Sequence, residues 1–452
     1  MTLRSIAVLG LARSGTAAAK LALHKGIAVY ASDAADNPEL HRTAKELKAL
    51  GADVDIGSAD VDRMAATETI VVSPGIAPHA PPLNDARLER HRRISELEFA
   101  SRFITAKIAA VTGTNGKSTT TAWAGHILAG AGLKVTVAGN IGNALSNVAM
   151  METQPEWVIV EASSFQLADI DRFSPNIGAV TNLSPDHLDR YTSVDAYYGD
   201  KKRLFRNASI ESIWILNGDD SEVLSLPGDA AGRRLCFRLD EELGEGEHGA
   251  FLNGSGELIL KVDALHAKLV HSQELKLLGA HNQANALASS LIAIGTGIPI
   301  PTIRDGLRTF RGLPHRLQLV AEVNGVQWIN DSKATNVAST IVALRSMKRP
   351  TVLLLGGRHK GEPYTTLLPW IGNVKTVVAY GEAVAMIEKD LRGSVAVVRV
   401  DGPFEKVVSL ARELASAGDA VLLSPACSSY DMFRNYEERG AEFARLAEGK
   451  TP

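Results

Sequence analysis

Short apolar runs that end in glycine, serine or asparagine recur along this chain, and amphipathic helical stretches alternate with them almost throughout. Few architectures accommodate that alternation: it belongs to parallel sheets covered by helices on both faces. Three groups of such runs stand out. The first opens with "SIAVLG", continues through a helix near residues 16–25, reaches "AVYASD" and closes with "TIVVSPG". The charged "DARLERHRRISE" then reads as a helix leading into a boundary near residues 92–97. The second group holds "KIAAVTG", "VTVAGN", "WVIVEASS" and "IGAVTN". A less regular stretch from about Leu216 to Leu278 follows, with antiparallel strands expected around the tight turn of "FLNGSGELILKV". The third group begins with a hairpin turning at Asn324-Gly325 and runs through "TVLLLGG", "TVVAYG", "VAVVRV" and "AVLLSPA".

At 452 residues the chain is about three average domains long. A net charge of −3 argues against a polyanion-coating protein, because there is no basic excess to release counterions. Two distant cysteines, Cys236 and Cys427, cannot build a disulfide framework and fit a reducing compartment. The N-terminal apolar run is cut short by Arg13, unlike a signal peptide, and no apolar run is long enough to span a membrane. The expectation is a cytoplasmic protein of several domains.

The loop "VTGTNGKSTT" sits between a strand and a helix, the context of a phosphate-binding P-loop, yet Val111 stands where the usual pattern has its first glycine. Backbone amides of residues 114–117 are placed to wrap phosphates, Lys117 to offset their charge and Ser118 to ligate Mg²⁺. Glu161, directly after "WVIV", is a candidate metal carboxylate, and His187, after "IGAVTN", a second candidate ligand. All lie at the carboxyl ends of strands, where open α/β sheets bind ligands. The first unit carries Gly10, Gly15 and Asp33 near dinucleotide-binding spacing, but Ala12 replaces the middle glycine. The expected ligand there is a nucleotide or sugar nucleotide, with NAD disfavoured.

"VTGTNGKSTT", "GNIG", "EASSFQL", "TNLSPDHLDRY", "GAHNQANALA", "GLPHRLQ", "NDSKATN", "LLLGGRHKG" and "LLSPACSSYDMFRNYEERG" occur in that order. Together they resemble the Mur ligase family over essentially the whole chain, and "SSFQL", "DSKATN" and "SPACSSYD" are similar to its D-glutamate-adding member. In that family the P-loop lacks the first glycine as its normal form. The resemblance implies an α/β fold of three domains: a Rossmann-like UDP-sugar domain at residues 1–95, a central P-loop ATPase-type domain at 96–312 and a Rossmann-like amino-acid domain at 313–452.

It further implies an ATP-dependent ligase that adds D-glutamate to the L-alanine carboxylate of UDP-N-acetylmuramoyl-L-alanine in peptidoglycan precursor synthesis. The carboxylate takes the γ-phosphoryl group of ATP, and the glutamate amine then displaces phosphate from the acyl phosphate. An L-glutamate-adding member, or another amino-acid-adding ligase of the same superfamily, stays open as an alternative, the former because both enantiomers present the same charges. Gly113, Thr114, Asn115, Gly116, Lys117, Ser118, Thr119, Asn282, Asn285, Arg316 and Asp331 would bind ATP. Ser14, Asp33, Ser73, Gly75, Asn140, Ser163 and Gln166 would hold the UDP-sugar, with Asn140 also reaching the reacting groups. Thr335, Lys360, Ser429 and Tyr436, where the family usually has Phe, would hold glutamate. Two Mg²⁺ ions would be held by Ser118, Glu161, His187 and Lys201, the last as a carbamate. The partners implied are small-molecule substrates, with no nucleic acid and no membrane span, for a monomer whose third domain closes on the others.

Overall fold

The computed structural model describes residues 3–187, 190–277 and 279–449. Among them the strands form three sheets, and the chain divides into two compact units. The first runs to Phe310; the second begins at Arg311 and also takes in Leu277 and Gly279. Two of the sheets lie in the first unit.

The first sheet comprises β1 (Ser5–Leu9), β2 (Ala28–Asp33), β3 (Asp53–Ile56), β4 (Thr69–Val72) and β5 (Arg92–Ser95), in the order β3-β2-β1-β4-β5. Every neighbouring pair is parallel. Its strands are apolar on both faces because both are covered: Ile6 and Val8 enter one core, Ala7 and Leu9 the other. The segment expected to be a helix over "DARLERHRRISE" is instead a single turn, Ala86–Leu88, followed by β5. It carries no helical apolar stripe, and as an edge strand β5 can send arginines to solvent while burying Ile94. The helix Glu96–Ser101 starts only after it, capped by the Ser95 hydroxyl.

The second sheet holds β6 (Lys107–Thr112), β7 (Val135–Gly139), β8 (Trp157–Glu161), β9 (Ile177–Val180), β10 (Ile213–Asn217), β11 (Arg233–Arg238), β12 (Gly249–Leu252), β13 (Glu257–Val262) and β14 (Leu265–His271). Their order is β14-β13-β12-β11-β10-β9-β6-β8-β7, which leaves β7 at one edge. The antiparallel pairing expected from Leu216 onward begins only at β12, since β10, β11 and β12 pair in parallel. Helix Lys117–Gly130 packs between this sheet and the helices Ala280–Gly295 and Ile300–Thr309.

In the second unit β15 (Gln318–Val323), β16 (Val326–Asn330), β17 (Thr351–Gly356), β18 (Val374–Tyr380), β19 (Ala396–Val400) and β20 (Ala420–Leu423) are ordered β15-β16-β20-β17-β18-β19. Only the β15–β16 hairpin is antiparallel. It turns at Asn324 and Gly325 with φ of 53° and 77°, the paired left-handed residues that a two-residue hairpin requires.

Candidate active site

β6 delivers its last residue, Thr112, into a loop that turns at Gly113 and Gly116, with φ of 135° and 81°. Neither tolerates a side chain: a Cβ would stand 2.1 Å from Thr181 Oγ1 at Gly113 and 2.4 Å from Asn285 Oδ1 at Gly116. Val111 lies inside β6, fully buried, so no glycine is called for there. The amides of Thr114 and Asn115, expected to face phosphates, donate instead to the carbonyl and side-chain oxygens of Asn182 at 2.8 and 2.9 Å. The amides suited to an anion are then those that open the helix Lys117–Gly130, because the first N–H groups of a helix lack intrahelical acceptors. Ser118 is buried in that first turn, and Thr119 is half-buried beside it. Asn285 is committed to this loop, accepting from Thr120 Oγ1 at 3.1 Å and donating to Asn282 at 3.2 Å.

Two lysine side chains converge on one carbonyl. Lys117 Nζ donates to Gly113 O at 3.0 Å and Thr114 O at 2.7 Å, and Lys201 Nζ donates to Gly113 O at 2.7 Å. Lys201, on the helix Val194–Lys202, is 1% exposed. Burial, and secondarily the Lys117 charge, hold its amine well below the usual lysine range, against the opposing pull of Asp186, Asp200 and Glu161.

At the end of β8 the Glu161 carboxylate is 1% exposed. Its Oε1 accepts from Asn140 Nδ2 at 2.6 Å, while its buried Oε2 has no hydrogen-bond partner among the described residues. A buried carboxylate oxygen left open in this way fits a cation. No group of three or more His, Cys, Asp or Glu able to hold a metal occurs among the described residues. The open carboxylate oxygen of Glu161 suits a hard cation such as Mg²⁺, which completes its shell with phosphates and water. Ser163 caps the helix Ser164–Ala168 in a capping box with Gln166, whose buried Nε2 is likewise without a partner among the described residues. His187, at φ 54°, sets its ring 4.9 Å from that of Phe165, with Asp186 3.6 Å from its Nε2.

The loops expected to hold a sugar nucleotide gather where β1 and β4 diverge to opposite neighbours, the crevice in which open sheets take ligands. Asp33 accepts from the amides of Leu11 and Ala35 at 2.7 and 2.9 Å, and Ser73 donates to Gly10 O at 2.8 Å. Ser14 lies half-buried in the first turn of the helix Arg13–His24, and Gly75 is exposed. Two arginines overlooked in the sequence join these loops to the central sheet. Arg13 donates to carbonyls of the "GNIG" turn, while Arg190 lies 3.8 Å over the Phe165 ring and donates to Pro74 O and Ile76 O at 2.6 Å each. Neither carried a signal in the sequence: Arg190 is a lone arginine in a polar loop, and Arg13 stands at a variable position of the glycine pattern.

In the second unit Asp331, following β16, is 7% exposed. It accepts from Ser424 Oγ at 2.8 Å and from the Leu317 amide at 3.2 Å. Burial pushes its carboxyl up to about 7, with Arg316 pulling the other way. Lys360 Nζ donates to Thr335 Oγ1 at 3.4 Å, and Ser429 is buried on the neighbouring loop. Tyr436 opens the helix Tyr436–Ala447, its ring 5.4 Å from Lys333 Nζ. Arg439, fully buried and unremarked in the sequence, ties these loops together by donating to Ser332 Oγ and O and to Cys427 O at 3.0, 2.9 and 3.1 Å.

Three domain families match in series: the Mur ligase MurD-like N-terminal domain over residues 4–94, the Mur ligase middle domain over 111–293 and the Mur ligase glutamate ligase domain over 315–427. The UDP-N-acetylmuramoylalanine–D-glutamate ligase of Desulfatibacillum aliphaticivorans is 37% identical over 98% of both chains. The protein of the same name from Myxococcus xanthus is 38% identical over 98% of both chains. The crystal structure of UDP-N-acetylmuramate–alanine ligase from Thermotoga maritima shares the fold at TM-score 0.60 and 20% identity, over 99% of this chain and 100% of that one. With a P-loop that turns at Gly113 and Gly116 and relatives this similar along nearly its whole length, the chain belongs to the Mur ligase family.

Proposed function

We propose that this protein is the ATP-dependent ligase that joins D-glutamate to the L-alanine carboxylate of UDP-N-acetylmuramoyl-L-alanine in peptidoglycan synthesis, releasing ADP and phosphate. The observation that carries the reading is the likeness over 98% of the chain to relatives bearing that activity in their names. The site chemistry agrees with it. A carboxylate does not exchange its oxygen for an amine unaided, so one of its oxygens first bonds to the γ-phosphorus as the bond to ADP breaks. The amine then adds to the carbonyl carbon, loses a proton and expels phosphate.

Bringing a carboxylate to a triphosphate sets two anions against each other, and Lys117 with the amides opening its helix offsets that repulsion. Gly113 to Thr119 line the phosphate path, Asn282 and Asn285 the nucleotide base side, and Arg316 and Asp331 the ribose and phosphates. Asn140 orients the reacting carboxylate, and Ser14, Asp33, Ser73, Gly75, Ser163 and Gln166 hold the UDP-sugar. Ser118, Glu161, His187 and Lys201 hold two Mg²⁺ ions, which supply charge neutralisation at the phosphates. Lys201 serves as a carbamate, a role supported by its burial, since only an uncharged amine adds carbon dioxide. Thr335, Lys360, Ser429 and Tyr436 take glutamate. Domains at 1–95, 96–312 and 313–452 divide these tasks, in a monomer working in the cytoplasm. Among the described residues no helix is long and apolar enough to cross a membrane.

The test is ADP and amide formation from UDP-N-acetylmuramoyl-L-alanine with each glutamate enantiomer in turn. D-glutamate is the expected substrate; turnover with L-glutamate alone would replace this reading by that of an L-glutamate-adding ligase.

A further inference from the structure

Asn140 stands on the turn that follows β7, and among the described residues β7 is an edge strand of its sheet, with β8 as its neighbouring strand. Such a strand end has half the usual neighbours to hold it, yet Asn140 Nδ2 must meet Glu161 Oε1 at 2.6 Å. The turn's amides are settled within the sheet: Gly139 N donates to Asn143 O at 2.8 Å and Asn140 N to Glu161 O at 2.9 Å. Its glycines are obligatory, for a Cβ at Gly139 would lie 2.3 Å from Glu161 O and one at Gly142 2.6 Å from Val137 O. That geometry leaves the carbonyls of residues 139, 140 and 142 turned to one side, where their dipoles repel.

A single guanidinium meets all three. Arg13, the first residue of a helix in the first sheet's domain, donates from Nη2 to Asn140 O at 2.9 Å and Gly139 O at 3.3 Å, and from Nη1 to Gly142 O at 3.1 Å. The planar fork of arginine can serve three acceptors at once, as a lysine point charge cannot. Further along the same segment Ser146 donates both its amide and its hydroxyl to the buried Glu96 Oε1, at 2.6 Å each. The turn bearing Asn140 is therefore held by Arg13, and the helix that follows it is held by Glu96, both from outside the sheet.

We propose that Arg13 is a positioning residue for the ligation: by holding the Gly139–Gly142 turn it sets the Asn140 carboxamide against Glu161 at the mouth of the P-loop, coupling the first domain to the reaction without touching the reacting atoms. The proposal rests on the ligase reading above. It deepens that reading, because it makes part of the catalytic geometry a property of the seam between two domains and not of the P-loop alone.

The test compares the wild-type chain, Arg13→Ala, Arg13→Gln, Asn140→Ala and the double variant Arg13→Ala/Asn140→Ala in the ADP-release assay. Arg13→Ala is expected to lower kcat at least tenfold while leaving the KM for ATP and for UDP-N-acetylmuramoyl-L-alanine within about threefold. Free guanidinium ion should restore part of that loss. The double variant should be no slower than Asn140→Ala alone, because a residue acting through Asn140 has nothing left to act on. A merely structural arginine gives multiplied losses in the double variant and no rescue by guanidinium, and that result would overturn the proposal. A raised KM for the UDP-sugar with kcat unchanged would overturn it too, making Arg13 a substrate contact. Arg13→Gln, which keeps the chain's bulk without its charge, repeats the comparison if the alanine variant misfolds. An inactive wild type would remove the ligase reading itself, whereas an active wild type with an equally active Arg13→Ala removes only this inference.

Discussion

Lys117 directs its ammonium to the carbonyls of its own loop, Gly113 O and Thr114 O, beside the helix N-terminus. Removing it takes away charge and no core packing. Lys117→Ala should thus abolish ATP-dependent turnover while its circular dichroism spectrum and melting temperature stay near wild type; turnover close to wild type would remove the P-loop assignment. Lys360 reaches Thr335 from a strand-end loop. If the two fix the side-chain carboxylate of glutamate, Lys360→Ala should raise the KM for glutamate by roughly 10²-fold, the loss of one charged hydrogen bond, with ATP affinity unchanged. Asp331 makes a prediction in pH. Its carboxyl sits at about 7 when folded, above the ordinary carboxylate value, so the stability it contributes is complete at low pH and is lost as pH rises toward 7. Between about pH 4 and 7 the slope should be on the order of 1 kcal/mol per pH unit, and Asp331→Asn should flatten it in thermal melts taken across that window.

At the scale of elements, the strand-to-helix turn after β6 is held in place by a glycine against a threonine: Gly113 at φ 135° lies where any side chain would strike Thr181. Gly113→Ala should cost at least about 2 kcal/mol in chemical denaturation and displace the helix that presents Lys117, with loss of turnover exceeding the loss of stability. Elements of this kind were legible beforehand because their signal is local. Apolar runs such as "KIAAVT" and "WVIVE", closed by small residues, announce buried parallel strands, and the Asn-Gly at 324–325 announces its hairpin. What escaped is whatever tertiary partners decide. β5 became a strand because β4 offered an edge, although its arginines suggested a solvated helix. The Thr114 and Asn115 amides were claimed by Asn182, some 67 residues away for the Asn115 bond, which nothing in the loop itself foretells. The burial of Lys201 was equally invisible, because its neighbours Lys202 and Arg203 are exposed and the three read together as a wet basic face. Arg13, Arg190 and Arg439 act on carbonyls, and carbonyls carry no sequence identity.

For the whole molecule, division into two compact units after Phe310 predicts that the chain yields first at that place. Brief proteolysis of the native protein should leave a fragment ending near residue 310, and a UDP-sugar nucleotide should raise the melting temperature of that unit selectively; uniform degradation without a stable fragment would count against two separately cooperative units. A further property follows from how the largest sheet ends. Nine strands make a long ladder, and an unguarded ladder invites a second copy to continue it. At one margin β14 carries Lys268, whose side chain pairs with Glu257 and whose carbonyl is taken up by Arg304 from the helix Ile300–Thr309. At the other, the strand carrying the "GNIG" turn runs into carbonyls already claimed by Arg13. A guanidinium group thus occupies part of each rim, and Arg304→Ala, which frees the Lys268 carbonyl on β14, is expected to increase edge-to-edge association, read as light scattering at high concentration.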